Sequence, residues 1–128
     1  MTTIEQLLRE YENLPEFVGS RIRDINQMGG FGSTPLHIAC YRAITSEVDT
    51  LISAGADVNA RGEYGERPLQ AAIKGRQPRN ISTIIELLLR HGALCELYDD
   101  DGRNAWQTAE HFDFTEKLSA IVQSVSPK

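Results

Sequence analysis

Three histidines, two cysteines and two acidic runs hold whatever chemistry this chain of 128 residues could perform. Glu110-His111-Phe112-Asp113 sets an imidazole among carboxylates, the pairing that general acid–base catalysis uses. A run of this kind is ordinarily a solvated helix face. No nucleophile or cofactor motif accompanies it: Gly-x-Ser-x-Gly, Gly-x-x-x-x-Gly-Lys and His-Glu-x-x-His are all absent. None of His37, His91 and His111 has a partner at metal-ligand spacing. Asp99-Asp100-Asp101-Gly102 offers oxygens to a calcium ion, yet it lacks the alternating Asp positions and the closing glutamate of such a loop. It reads as a hairpin tip. Gly29-Gly30-Phe31-Gly32 precedes Ser33-Thr34-Pro35, so its glycines serve positive φ in a turn rather than a phosphate. Cys40 and Cys95 read as reduced, buried, small hydrophobes, with neither a disulfide nor a metal between them. The expectation is a protein with no catalytic residues, no metal and no cofactor.

Composition narrows the partners. Thirteen basic against eighteen acidic residues give a net charge of −5, which argues against nucleic acid and anionic membranes. An apolar content of 41% suffices for one core, and the length suits one domain. Met1-Thr2-Thr3-Ile4-Glu5 shows no basic region followed by an apolar run, and no stretch approaches the roughly 20 apolar residues of a membrane span. The expected location is the cytoplasm.

The elements that position these residues recur with a period. Thr34-Pro35-Leu36-His37-Ile38-Ala39 returns as Arg67-Pro68-Leu69-Gln70-Ala71-Ala72 and again as Asn104-Ala105-Trp106-Gln107-Thr108-Ala109. Gly55-Ala56-Asp57-Val58-Asn59 is echoed by Gly92-Ala93-Leu94-Cys95-Glu96. Asn26 to Thr34, Asn59 to Arg67 and Glu96 to Asn104 are equal steps, each holding a glycine at the same point: Gly32, Gly65 and Gly102. With these three markers in register, the chain resembles an ankyrin-repeat protein from about residue 22 onward. The resemblance implies an all-α solenoid of stacked helix-turn-helix units joined by short hairpin loops. It divides the chain into an N-terminal cap (1–28), a first repeat (29–61), a second repeat with an insertion between its helices (62–98) and a C-terminal capping repeat (99–128). A small stand-alone array is expected.

Local signals fill in the units. Thr2 with Glu5, or Thr3 with Gln6, reads as a capping box, and Ile4, Leu7, Leu8 and Tyr11 share one helical face that ends before Leu14-Pro15. Phe17, Val18, Ile22 and Ile25 predict a second short helix, with Leu7, Leu8, Phe17 and Ile22 covering the first repeat. Pro35 and Pro68 open inner helices. Thr45 or Ser46 is the expected cap of the first outer helix, and Gly55 and Gly92 end outer helices in the left-handed conformation. Thr34 to Gly55 is shorter than Arg67 to Gly92 by four residues, which places a basic loop at 74–80 with Lys74, Arg76 and Arg79. That loop and the acidic run Glu96, Asp99, Asp100, Asp101 are expected at opposite ends of the helix pairs. Residues 124–128 read as a fraying tail.

The resemblance also implies where a partner binds: through hairpin tips and the exposed side of the inner helices, which line a concave groove. His37 is implied to bond backbone in the neighbouring hairpin. On matching positions the tips supply Gly30, Phe31, Ser33, Arg61, Glu63, Tyr64, Glu66, Tyr98, Asp100, Asp101 and Arg103, and the inner helices supply Tyr41, Arg42, Lys74 and His111 with Phe112 beside it. Phe31, Tyr64 and Tyr98 are expected one per repeat along one edge. The function expected is non-catalytic binding of a protein partner by a monomer, as an inhibitor or immunity protein. A signalling adaptor is the alternative, and a small enzyme or ligand-binding protein comes last.

Overall fold

A computed structural model of the chain describes residues 3–75 and 78–125, with the backbone alone for residues 78 and 79. The described residues form seven helices and no strand: α1 (Ile4–Tyr11), α2 (Pro35–Arg42), α3 (Thr45–Ser53), α4 (Pro68–Lys74), α5 (Pro78–Arg90), α6 (Ala105–His111) and α7 (Thr115–Val125), with a 3-10 turn at Glu63–Gly65.

Each inner helix starts by one device. Thr34, Arg67 and Asn104 are extended, and the side chain three residues on accepts their backbone N–H: His37 at 3.3 Å, Gln70 at 2.9 Å and Gln107 at 2.9 Å. Orphan N–H groups of a first helical turn are thereby satisfied. Pro35 and Pro68 sit in the first turn, where a missing N–H costs nothing. Each hairpin is closed alike, by Gly29 N–H to Ser33 carbonyl, Gly62 to Glu66 and Asp99 to Arg103, all at 2.8 Å.

The inner helices α2, α4 and α6 stack in one layer and the outer helices α3, α5 and α7 in a second, while α1 packs on α3. The interior repeats with the sequence. Leu36 and Leu69 are buried at one step, Ala39, Ala72 and Ala109 at another, and Val48, Ile85 and Leu118 at a third. Alanine at the second step lets the inner helices approach closely. The asparagines Asn26 and Asn59 tie adjacent units together: their Oδ1 atoms accept the Asp57 and Leu94 N–H at 2.8 and 2.9 Å.

Several expectations need correction. The first outer helix has Ile44 at its N-cap with no side-chain bond, so neither Thr45 nor Ser46 caps it. A tight turn dictates this: Ala43 takes a left-handed φ of 57° and Ile44 N–H returns to the Ala39 carbonyl. Asp113 (φ 55°) and Phe114 repeat that turn in the third unit. Phe17 and Ile22 are buried over the first repeat as expected, but Phe17 lies in a turn and Ile22 in irregular backbone rather than a helix, and Val18 is exposed. The capping box is that of Thr3 and Gln6; Thr2 lies outside the described residues. The insertion is not wholly a loop. It lengthens α5, which begins at Pro78, and Asn80 Nδ2 donates to the Ala43 carbonyl at 2.9 Å. Helix α7 continues to Val125, so the supposed tail is helical as far as it is described.

Candidate functional site

His37 and the two cysteines are built into the fold. His37 is buried, and its Nε2 donates to the Glu66 carbonyl at 2.7 Å in the next hairpin, as the resemblance implied. Its Nδ1 is then the acceptor for Thr34. Gly62 makes room for the ring, because a Cβ there would stand 2.6 Å from Nε2. Burial holds the His37 pKa below the usual 6.5. Cys40 and Cys95 are free and buried, and burial raises both thiols, that of Cys95 to about 11. His91 bonds the Leu87 carbonyl at 2.9 Å. Glu110, His111, Phe112 and Asp113 are all exposed, so the acidic run around His111 is a solvated helix end. Among the described residues no group of three or more His, Cys, Asp and Glu side chains could hold a metal ion.

What the stack does build is two adjoining hollows along the exposed side of the inner helices. The first, of about 290 Å³, lies between α2 and α4 and is lined by Ser33, His37, Ile38, Tyr41, Glu63, Glu66, Ala71 and Lys74. The second, of about 350 Å³, lies between α4 and α6 and is lined by Lys74, Asp99, Asp101, Arg103, Thr108, His111 and Phe112. Lys74 is common to both and pairs with Glu66. Nine expected site residues therefore come together here: Ser33, Tyr41, Glu63, Glu66, Lys74, Asp101, Arg103, His111 and Phe112. Ile38 was missed, although it shares a helical face with Tyr41 three residues on.

Others sit elsewhere. Arg42 lines neither hollow: it reaches Glu47 at 3.7 Å and lies 5.7 Å from the centre of the Tyr11 ring, toward the cap. Arg61 and Asp100 pair with each other between the second and third tips. Phe31 and Tyr64 are 63% and 74% exposed at equal steps of their hairpins. Asp101 holds that step in the third hairpin. Tyr98, exposed as well, shares its step with Met28 and Arg61 instead. The expected row of three aromatics is thus two aromatics and an aspartate. Of the basic run, the described Lys74 side chain shares the second hollow with Asp99 and Asp101. Side chains on a helix lean toward its N-terminus, which brings this one back along α4 toward the hairpins. The side chains of Arg76 and Arg79 lie outside the described residues.

Asp99 is consumed by its own loop, where Oδ1 accepts the Asp101 and Arg103 N–H groups at 2.9 and 3.0 Å. No described helix is long and apolar enough to cross a membrane.

Comparison with known proteins supports an all-helical repeat fold. A family profile described as ankyrin repeats in three copies matches residues 2–99. The putative E3 ubiquitin-protein ligase XBAT35 of Arabidopsis thaliana is 32% identical over 105 residues, 80% of this chain and 22% of that protein. Cyclin-dependent kinase 4 inhibitor B of Mus musculus is 38% identical over 66 residues, 52% of this chain and 47% of that protein. Rabankyrin-5 of Homo sapiens is 30% identical over 96 residues, 74% of this chain and 8% of that protein. The chain spans less than half the length of each of these relatives.

Proposed function

This chain belongs to the ankyrin-repeat family, and from that premise we propose that it is a non-catalytic module that binds a protein partner on its concave face. Ankyrin repeats generally serve protein–protein interaction. The observation that carries the reading is the pair of joined hollows with exposed rings in their walls, Tyr41 at 48% and Phe112 at 47%, while Tyr64, 74% exposed, follows the lining residue Glu63 at the second hairpin tip. Soluble domains seldom leave such side chains uncovered in one region without a use. Within this reading we favour inhibition by occlusion over an adaptor role. Of the three relatives above, the one this chain covers most fully is by name a kinase inhibitor. A rigid array that occupies one surface of its partner inhibits by exclusion, and catalysis has no part in it.

The test is capture of partners from source-cell lysate on the immobilised full chain, beside a Tyr41→Ala/Tyr64→Ala variant. The expected result is one protein retained stoichiometrically by the wild type and lost from the variant, with melting temperature nearly unchanged because both side chains are exposed. Equal retention by the variant removes the concave face from consideration.

A further inference from the structure

Both hollows combine a ring with a carboxylate, although the residues are not at matching steps of the repeat: Phe112 and Asp101 each lie one residue beyond the steps of Tyr41 and Glu63. Each has an aromatic ring on the inner-helix side, Tyr41 in the first and Phe112 in the second, 48% and 47% exposed. Each has a carboxylate on the hairpin side, Glu63 in the first and Asp101 in the second. The lining as a whole holds four carboxylates against two cations. Lys74 is engaged by Glu66, and Asp99 by its own loop. Glu63 has no ion pair among the described residues, and Asp101 has only Arg103 at 3.7 Å, with both of those side chains more than 60% exposed. An exposed pair at that distance contributes little. An apolar occupant would strip water from Glu63 and Asp101 without replacing it. An acidic occupant would meet like charge. A basic side chain satisfies both parts, since its stem covers the ring while its head meets the carboxylate.

Spacing follows from the stack. Packed helices stand roughly 8–10 Å apart, which is the step from one hollow to the next. A polyproline II segment rises about 3.1 Å per residue and presents every third side chain on one face, so positions i and i+3 are about 9 Å apart on the same side. A β-strand turns its residues i and i+3 to opposite sides and does not fit. We infer that the concave groove receives an extended, polyproline II segment of its protein partner with arginine or lysine at i and i+3, one in each hollow. The inference rests on the groove being the binding face.

The full chain is titrated into Pro-Pro-Arg-Pro-Pro-Arg-Pro-Pro-amide carrying fluorescein on its N-terminus, and binding is followed by anisotropy. Parallel probes carry glutamate at both arginine positions, or the two arginines adjacent. The paired-arginine probe should bind about tenfold more tightly than either and weaken with salt. Glu63→Gln with Asp101→Asn should remove most of that preference, and Glu63→Lys with Asp101→Lys should transfer it to the glutamate probe, with circular dichroism unchanged. Equal binding of glutamate and arginine probes overturns the charge assignment. Equal binding of adjacent and spaced arginines overturns the geometry. Absence of binding by every probe overturns the inference; if capture by the wild type still depends on Tyr41 and Tyr64, the groove reading survives it.

Discussion

His37 does in the first repeat what Gln70 does in the second. Both accept the N–H of the residue that opens their helix, and both donate onward into the next hairpin, His37 to the Glu66 carbonyl and Gln70 to the Arg103 carbonyl at 3.0 Å. They differ in one respect: the imidazole titrates and the amide does not. Burial keeps His37 neutral by lowering its pKa, so the unfolded chain takes up a proton at a higher pH than the folded chain. The unfolded state then binds more protons just below the ordinary value of 6.5, and stability falls as pH drops through that window. Above 6.5 the contribution is complete. Urea unfolding of the wild type should therefore show a loss of stability from pH 7.5 toward pH 5, and His37→Gln should flatten that loss relative to the wild type. A wild-type slope retained in the variant would assign the effect to another group. Gly62→Ala tests the same contact from the other side. Its methyl would meet the ring at 2.6 Å, and such overpacking costs about 1–3 kcal/mol.

Helices were legible where periodic residues are also core residues. Leu69 and Leu88 fall at apolar steps of their repeats, and both are buried, at 1% and 0% exposed. Leu69→Ala or Leu88→Ala should destabilise the fold by about 2–5 kcal/mol through the cavity left behind. Each unit touches only its neighbours, so a loss in the middle repeat removes support from both sides. Denaturant unfolding should remain one transition with a lower midpoint, and an unshifted midpoint for either variant refutes the core. The turns between helices were less legible. Ala43 and Asp113 take left-handed backbone, a conformation that glycine announces in a sequence and that alanine does not. Thr45 and Ser46 look like caps, but the short turn brings Ile44 to that position. The insertion was found by counting, yet counting could not show that Pro78 to Asn80 join the helix. Asn80→Ala should cost about 1 kcal/mol by removing its bond to the Ala43 carbonyl, measured by the same unfolding experiment.

The binding surface was only partly legible, because exposure depends on which repeat lies next door. Arg42 and Tyr41 are adjacent in sequence, yet Arg42 turns to Glu47 and to the Tyr11 ring of the cap while Tyr41 faces the first hollow. The same dependence governs the C-terminal end of the stack. Cys40, Ile73 and Glu110 occupy one repeating step. Cys40 and Ile73 are 0% and 4% exposed, whereas Glu110 is exposed on the third unit. Gln107 is exposed too, at the step where His37 and Gln70 are buried. Polar residues at these two steps oppose the continued stacking that apolar ones would invite. Glu110→Ile places on the exposed face of the third repeat the residue type that the second repeat buries. The variant should self-associate with rising concentration, read as an increase in mass by light scattering after size exclusion, while the wild type elutes at one mass over the same range. Trp106 and Ile121, half-buried on the same unit, would add to the contact once the charge is gone. A Glu110→Ile variant that keeps the wild-type mass throughout would show that this glutamate does not limit the array.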